Sequence, residues 1–150
     1  MPTNSFGPND NYNLNSSHFL PALIRKIYEA KMNKKNFIEL WGNGKVKREL
    51  IHVNDLADAC IYFLFKNTKN HLINIGTGKD YSILDYANRI MKILNINLKI
   101  KYINKQLSGT PRKLLDCTLA KKLGWKSKIS LDKGLTETVE DFCKNYKKYA

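Results

Sequence analysis

Cysteine is scarce in this chain of 150 residues, and Cys60, Cys117 and Cys143 lie far apart with no Cys-x-x-Cys among them. An odd, unpatterned set argues against a disulfide scaffold and suits a reducing compartment. Histidine is equally sparse. His18, His52 and His71 are too widely separated to form a ligand cluster, so no metal is expected. No apolar run approaches the length of a membrane span, and the polar first ten residues, with two prolines, exclude a signal peptide. The expectation is a soluble, cytoplasmic protein with no membrane partner. Acidic residues are few, 13 against 26 basic ones, giving a formal net charge of +13 that favours anionic partners. Yet there is no basic tail, no block of like charges and no zinc-finger spacing, so nucleic acid rests on charge alone and is not expected. A Gly-x-Gly-x-x-Gly loop and a Walker lysine are absent too, which removes the usual phosphate cradles.

What is present is enough for one domain, since a chain of this length buries roughly 70% of its unfolded surface. No repeat and no linker divides it, so residues 1–150 read as a single unit. The chain is organised around Trp41 to Asp58. Phe37 to Trp41 reads as a strand, Gly42-Asn43-Gly44 is turn chemistry, and Val46 to Ile51 forms a second extended segment. Together these predict a hairpin in which Lys47 and Glu49 point one way, Arg48 and Leu50 the other. A helix follows at once, with Asn54 as its cap and Asp55 near its positive end. A hairpin carrying an indole and an arginine beside a helix start can hold an anionic, ring-bearing ligand. Composition alone favours a surface hairpin with a solvated Arg48.

On either side the pattern alternates helix and strand. Ser16 or Ser17 caps a helix with Leu20, Leu23, Ile24, Ile27 and Tyr28 at helical spacing and Pro21 in its first turn. Leu56 to Phe65 is apolar on more than one face and predicts a buried helix. His71 to Gly76 reads as a buried parallel strand entering a tight Gly76-Thr77-Gly78 turn. Ser82 and Asp85 predict a capping box for a helix running through Leu94, and Leu98 to Ile103 a half-exposed strand. Thr118 caps a short helix stopped by Gly124, and Ser130 opens a final amphipathic helix with Leu131, Leu135, Val139 and Phe142 on one side.

Three stretches carry a resemblance. Arg48-Glu-Leu-Ile-His-Val-Asn-Asp-Leu-Ala57 resembles the substrate-domain segment of the extended short-chain dehydrogenases/reductases that act on nucleotide-sugars. Pro2-Thr-Asn-Ser-Phe-Gly-Pro8 and Gly109-Thr-Pro-Arg-Lys-Leu-Leu-Asp116 are similar to stretches of the GDP-L-fucose synthases within that superfamily. The resemblance runs nearly from end to end but begins after that family's first half. It implies an α/β fold, the C-terminal part of an NAD(P)-binding Rossmann-type enzyme, mostly its substrate-binding domain, with the N-terminal dinucleotide-binding half absent. In the complete enzyme it implies 3,5-epimerisation and then 4-reduction of GDP-4-keto-6-deoxy-mannose with NADP(H), held mostly by that missing half. A homodimer is implied for the complete enzyme, and a separately encoded N-terminal half is a conceivable partner.

Carried over by position, the resemblance puts Pro2, Thr3, Asn4 and Ser5 at the cofactor. His18 would touch the cofactor and sugar and serve as the acid/base of epimerisation, a role suited to an imidazole that exchanges protons near neutrality. Lys26, Trp41, Arg48, Ser108 and Lys113 would bind the nucleotide-sugar, with cations on the diphosphate and an indole against a ring. Two positions depart from the pattern: Lys26 stands for an arginine and Ser108 for an aspartate. The family's reducing Tyr-x-x-x-Lys lies in its first half. The one such spacing here, Tyr62 to Lys66, falls in the apolar helix and reads as chance, so the chain by itself is expected to be inactive. Two other readings are half of a UDP-hexose epimerase or dehydratase, and a catalytically dead basic module for nucleotides or nucleic acid.

Overall fold

The strand Lys47–His52 gathers most of the others. A computed structural model describes residues 1–69, 72–103 and 109–149 of the chain. In it β1 (Asn4–Phe6) runs parallel to the second half of β3 (Lys47–His52), pairing Asn4 with Leu50 and Phe6 with His52. The first half of β3 is flanked by antiparallel β4 (Asp80–Ser82) and parallel β6 (Arg112–Lys113). A separate pair joins β2 (Phe37–Trp41) in parallel to β5 (Lys99–Ile103).

This corrects the hairpin. The turn at Gly42 to Gly44 is real: both glycines have φ +72°, and a Cβ on Gly44 would lie 2.9 Å from the Tyr102 ring. But β2 and β3 do not pair. β2 buries Ile38 and Leu40 and takes β5 as its partner, while β3 has both edges filled by β1, β4 and β6. Nor does β3 alternate as expected, because Glu49, Leu50, Ile51 and His52 are all buried. Covered on both faces, the strand reads as a continuous buried run.

Helix α1 (Phe19–Met32) buries Leu20, Leu23, Ile24 and Ile27, as its spacing predicts. It packs with α3 (Ile83–Ile93) and α5 (Leu131–Lys144), whose Tyr86, Ile90, Leu135 and Phe142 are fully buried with it. The Ser82–Asp85 capping box forms, and Ser130 caps α5 by accepting from the Lys133 N–H. Three caps fall elsewhere. His18 rather than a serine is the N-cap of α1, with no side-chain cap bond. His52, not Asn54, caps α2 (Val53–Leu64), its ring accepting from the Asn54 N–H; Cys117, not Thr118, precedes α4 (Thr118–Lys122). In each case an extended or bent backbone residue ends the coil one or two positions from the candidate side chain.

Helix α2 itself departs most from expectation. Only Asp55 and Ala59 are buried on it, while Ile61, Leu64 and Phe65 are 61%, 77% and 82% exposed. Its Tyr62 is half-buried and donates to the Leu123 carbonyl, and Lys66 lies over the same ring. The parallel strand expected near residue 75 contracts to a bridge between Ile75 and Pro2, and His71 lies outside the described residues. A short helix α6 (Tyr146–Tyr149) closes the chain's described part. None of these helices is long and apolar enough to cross a membrane.

Candidate functional site

Where α1, β2 and β3 converge they leave a cavity of about 430 Å³. Ala22, Leu23 and Lys26 reach it from α1, because positions one turn apart share a helix face. Glu39 and Trp41 reach it from the exposed side of β2, two residues apart as a strand requires. Arg48 reaches it from β3, and Gly109 closes the rim. Lys26, Trp41 and Arg48, three of the five residues assigned to the nucleotide-sugar, therefore meet in one place.

The geometry suits an anion beside a ring. The Lys26 ammonium lies 5.9 Å from the centre of the Trp41 indole, which stays 66% exposed and so keeps a face free for a ligand. One Arg48 guanidinium nitrogen is pinned by the carbonyls of Lys47 at 2.7 Å and Thr110 at 2.8 Å. That leaves the rest of the fork preorganised for paired phosphate oxygens. The Arg48 backbone is fixed in turn, since its carbonyl accepts from the Tyr86 hydroxyl at 2.9 Å. Burial drives the Tyr86 phenol well above its ordinary pKa, so it remains a donor. Among the described residues neither Lys26 nor Arg48 forms an ion pair with a carboxylate, Glu39 included.

Other assigned residues stand apart from this cavity. Lys113 is the register partner of Arg48 across β3 and β6, but it is exposed and does not line the cavity. His18 is exposed and does not line it either, although Ser17 and Phe19 on each side of it do. Pro2 and Thr3 are tied to Ile75, and the Thr3 hydroxyl donates to the Glu49 carbonyl. Asn4 and Ser5 are exposed on β1. Ser108 lies outside the described residues.

Sequence reasoning gave no place at the cavity to its two other polar lining side chains, Ser17 and Glu39, and missed the main brace of β3. Ser17 lines the cavity with a buried hydroxyl that has no hydrogen-bond partner among the described residues, and Glu39 lines it two positions before Trp41 on β2. Glu49 is 1% exposed, and its carboxylate accepts from the Gly78 N–H at 2.6 Å and the Leu115 N–H at 2.9 Å. It so ties β3 to the 76–78 turn and to the segment after β6. Asp55 does the same for the loop before α5, accepting from the N–H groups of Lys128 and Ile129. A buried carboxylate with several N–H donors is a structural brace. Its only signal in sequence is a charge inside an apolar strand.

The profile of the NAD dependent epimerase/dehydratase family matches residues 1–76. GDP-L-fucose synthase 1 of Arabidopsis thaliana is 41% identical over 145 residues, covering 97% of this chain and 45% of that relative. GDP-L-fucose synthase of Escherichia coli (strain K12) is 38% identical over 158 residues, covering 99% of this chain and 49% of the relative. The chain thus spans about half the length of these curated relatives. Among solved structures, a GDP-L-fucose synthetase from Naegleria fowleri bound to NADP superposes with a TM-score of 0.89 at 26% identity, over 97% of this chain and 46% of that one. The mixed α/β fold is accordingly the Rossmann-like fold of these extended enzymes.

Proposed function

The chain belongs to the NAD dependent epimerase/dehydratase family, and we propose that it is the C-terminal, GDP-sugar-binding part of an NADPH-dependent 3,5-epimerase/4-reductase that makes GDP-L-fucose from GDP-4-keto-6-deoxy-mannose. The observation that carries this is the meeting of Lys26, Trp41 and Arg48 in one cavity. A diphosphate would lie between the two cations, and a ring of the ligand would cover the open indole face. All of residues 1–150 act as one unit in this reading, completed by a dinucleotide-binding half that precedes it in the family.

His18 would exchange the protons at the two carbons beside the ketone, delivered from the start of α1 next to the cavity-lining Ser17. Asn4 and Ser5 would border the cofactor. Their side chains are exposed and take part in no hydrogen bond with the described residues, which fits a border completed from another segment. NADPH, when bound, supplies the hydride; no glycine-rich phosphate loop occurs in these 150 residues, so the chain by itself should not oxidise NADPH.

Calorimetric titration of the full chain with GDP-mannose and UDP-glucose tests the reading. GDP-mannose should bind more tightly, and Arg48→Ala should weaken it by roughly 1.5–3 kcal/mol, the worth of charge-assisted hydrogen bonds. Unchanged affinity in that variant removes Arg48 from the site, and a preference for UDP-glucose moves the chain to the UDP-hexose enzymes.

A further inference from the structure

A second concavity of about 410 Å³ opens between the 76–82 segment, the end of α4 with the loop after it, and the start of α5, away from Lys26, Trp41 and Arg48. Its floor holds Phe6, Leu50 and Tyr86, and its walls carry Lys79, Arg89, Lys121, Lys126 and Lys128 against one acid, Asp132. Two of the five cations are already neutralised, Arg89 by Asp132 and Lys128 by Asp58. Lys79, Lys121 and Lys126 form no ion pair among the described residues. Lys121 in fact folds inward: its ammonium comes within 3.3 Å of the position a Cβ would take on Gly78, beside Lys79. Lys121 has the Asp116 carboxylate nearby, whereas Lys79 and Lys126 add charge to the same walls with no ion pair among the described residues, and walls this basic favour an anion between them.

One further feature turns the hollow toward negative charge. The 14-residue helix α5 begins there, its Ser130, Leu131 and Asp132 lining the hollow, so the positive end of its dipole faces in. The glycine turn does not contribute, because the Gly78 N–H is taken by Glu49. From these observations we infer that this hollow binds a small phosphorylated metabolite, its phosphoryl group between Lys79, Lys121 and Lys126 and its body over the Tyr81 ring that Arg89 covers from 4.9 Å. A hollow of this size suits a compact phosphate ester rather than a polymer that tracks along a surface. The site is independent of the first cavity and of the function proposed for it.

Pyrophosphate and glucose 1-phosphate are the probes, titrated into the full chain carrying Arg48→Ala so that the first cavity does not compete, with amide shifts followed by NMR. Saturable one-to-one binding should shift the amides of Thr77, Ser127 and Leu131. The Lys79→Ala/Lys126→Ala pair should weaken it about tenfold or more, while Lys35→Ala/Lys147→Ala on other surfaces changes it little. Tighter glucose 1-phosphate than pyrophosphate marks an ester site, and the reverse marks a site for the inorganic anion. Because all four lysines are exposed, the variants should keep the wild-type spectrum elsewhere. Ser127→Glu, which adds a carboxylate to the wall, should abolish binding by itself. The inference is overturned by any of three results: no saturable shift, equal loss in the control pair, or shifts only with single-stranded RNA whose affinity grows with length.

Discussion

The two sides of this molecule are built to different standards. On one, α1, α3 and α5 share a single large apolar cluster that runs from Tyr12 through Ile24, Tyr86 and Ile90 to Phe142, with rings in direct contact. On the other, α2 rests on a small cluster of Ile51, Ala59, Ile75, Ala120 and Trp125, and sends Ile61, Leu64 and Phe65 outward. The candidate site stands on the first side. Its cations are held by backbone that the thick core fixes, as when buried Tyr86 donates to the Arg48 carbonyl. The second side keeps apolar surface on display, which is where polypeptide association is expected. On the proposed reading, a guanidinium fork that must meet a diphosphate belongs on the rigid side.

The largest test of this contrast is Phe142→Ala. Phe142 is fully buried between Tyr12, Tyr28 and Tyr149, so the cavity left behind should cost about 3–5 kcal/mol. Ile61→Ala on α2 should cost less than about 1 kcal/mol, since its side chain is already largely in water. Chemical denaturation followed by circular dichroism measures both. Similar losses in the two variants would erase the distinction.

Glu49 joins the two sides, and Glu49→Gln should cost roughly 1–3 kcal/mol. The Gly78 and Leu115 N–H groups meet different carboxylate oxygens, so the amide keeps an acceptor for one and turns a donor toward the other. Hydrogen exchange should accelerate at Gly78 and Leu115 before it does in α1. Acceleration spread evenly over the chain would mean that Glu49 holds no particular seam.

Much of this was legible in the sequence, and the reasons it failed elsewhere are physical. Elements set by neighbours in sequence came through: the spacing of α1, the Ser82–Asp85 box, the Ser130 cap and the Gly124 stop. Pairing did not. A Gly-Asn-Gly turn announces a reversal, but nothing local shows that β2 will join β5, some sixty residues on, while β3 joins β1. The apolar run of α2 signals a helix without saying which of its faces finds cover. For the site, a resemblance in sequence picked out Lys26, Trp41 and Arg48, which the fold brings together, and also Lys113, which sits on the neighbouring strand outside the cavity. Glu49, Asp55 and the lysines of the second hollow converge from distant segments, and no spacing in the sequence could group them.

A smaller effect belongs to the rim of the thick side. Ser82→Ala removes one arm of the capping box of α3 and should cost about 1 kcal/mol near neutral pH. The Ser82 hydroxyl and N–H hold the Asp85 carboxyl below its ordinary value of 3.8. A carboxylate with a lowered pKa in the folded state contributes stability above that value and loses it as the pH falls through the folded pKa. The gap between wild type and variant should therefore be full near pH 7 and shrink in acid below about 3.8. Denaturation midpoints taken across that range decide it, and a gap that widened in acid would contradict the assigned hydrogen bonds.

The smallest expected change in stability is the one that speaks most directly to the thin side. Ile61→Gln, Leu64→Gln and Phe65→Ser replace exposed apolar side chains, two of them with good helix formers, so each should alter stability by no more than about 0.5 kcal/mol. Association should respond far more. Apolar side chains presented together on a helix gain by leaving water at about 25 cal/mol per Å² of covered surface, and polar replacements forfeit that gain. Sedimentation velocity over a range of concentrations should show the wild-type chain self-associating and the triple variant remaining monomeric. Charge cannot account for such a difference, because the net charge of +13 is the same in both chains and opposes association in each. If the wild type is monomeric throughout, the open face of α2 is simply tolerated in water. If both associate alike, the contact lies elsewhere, with the exposed edge of β5 beside Tyr102 as the next place to change.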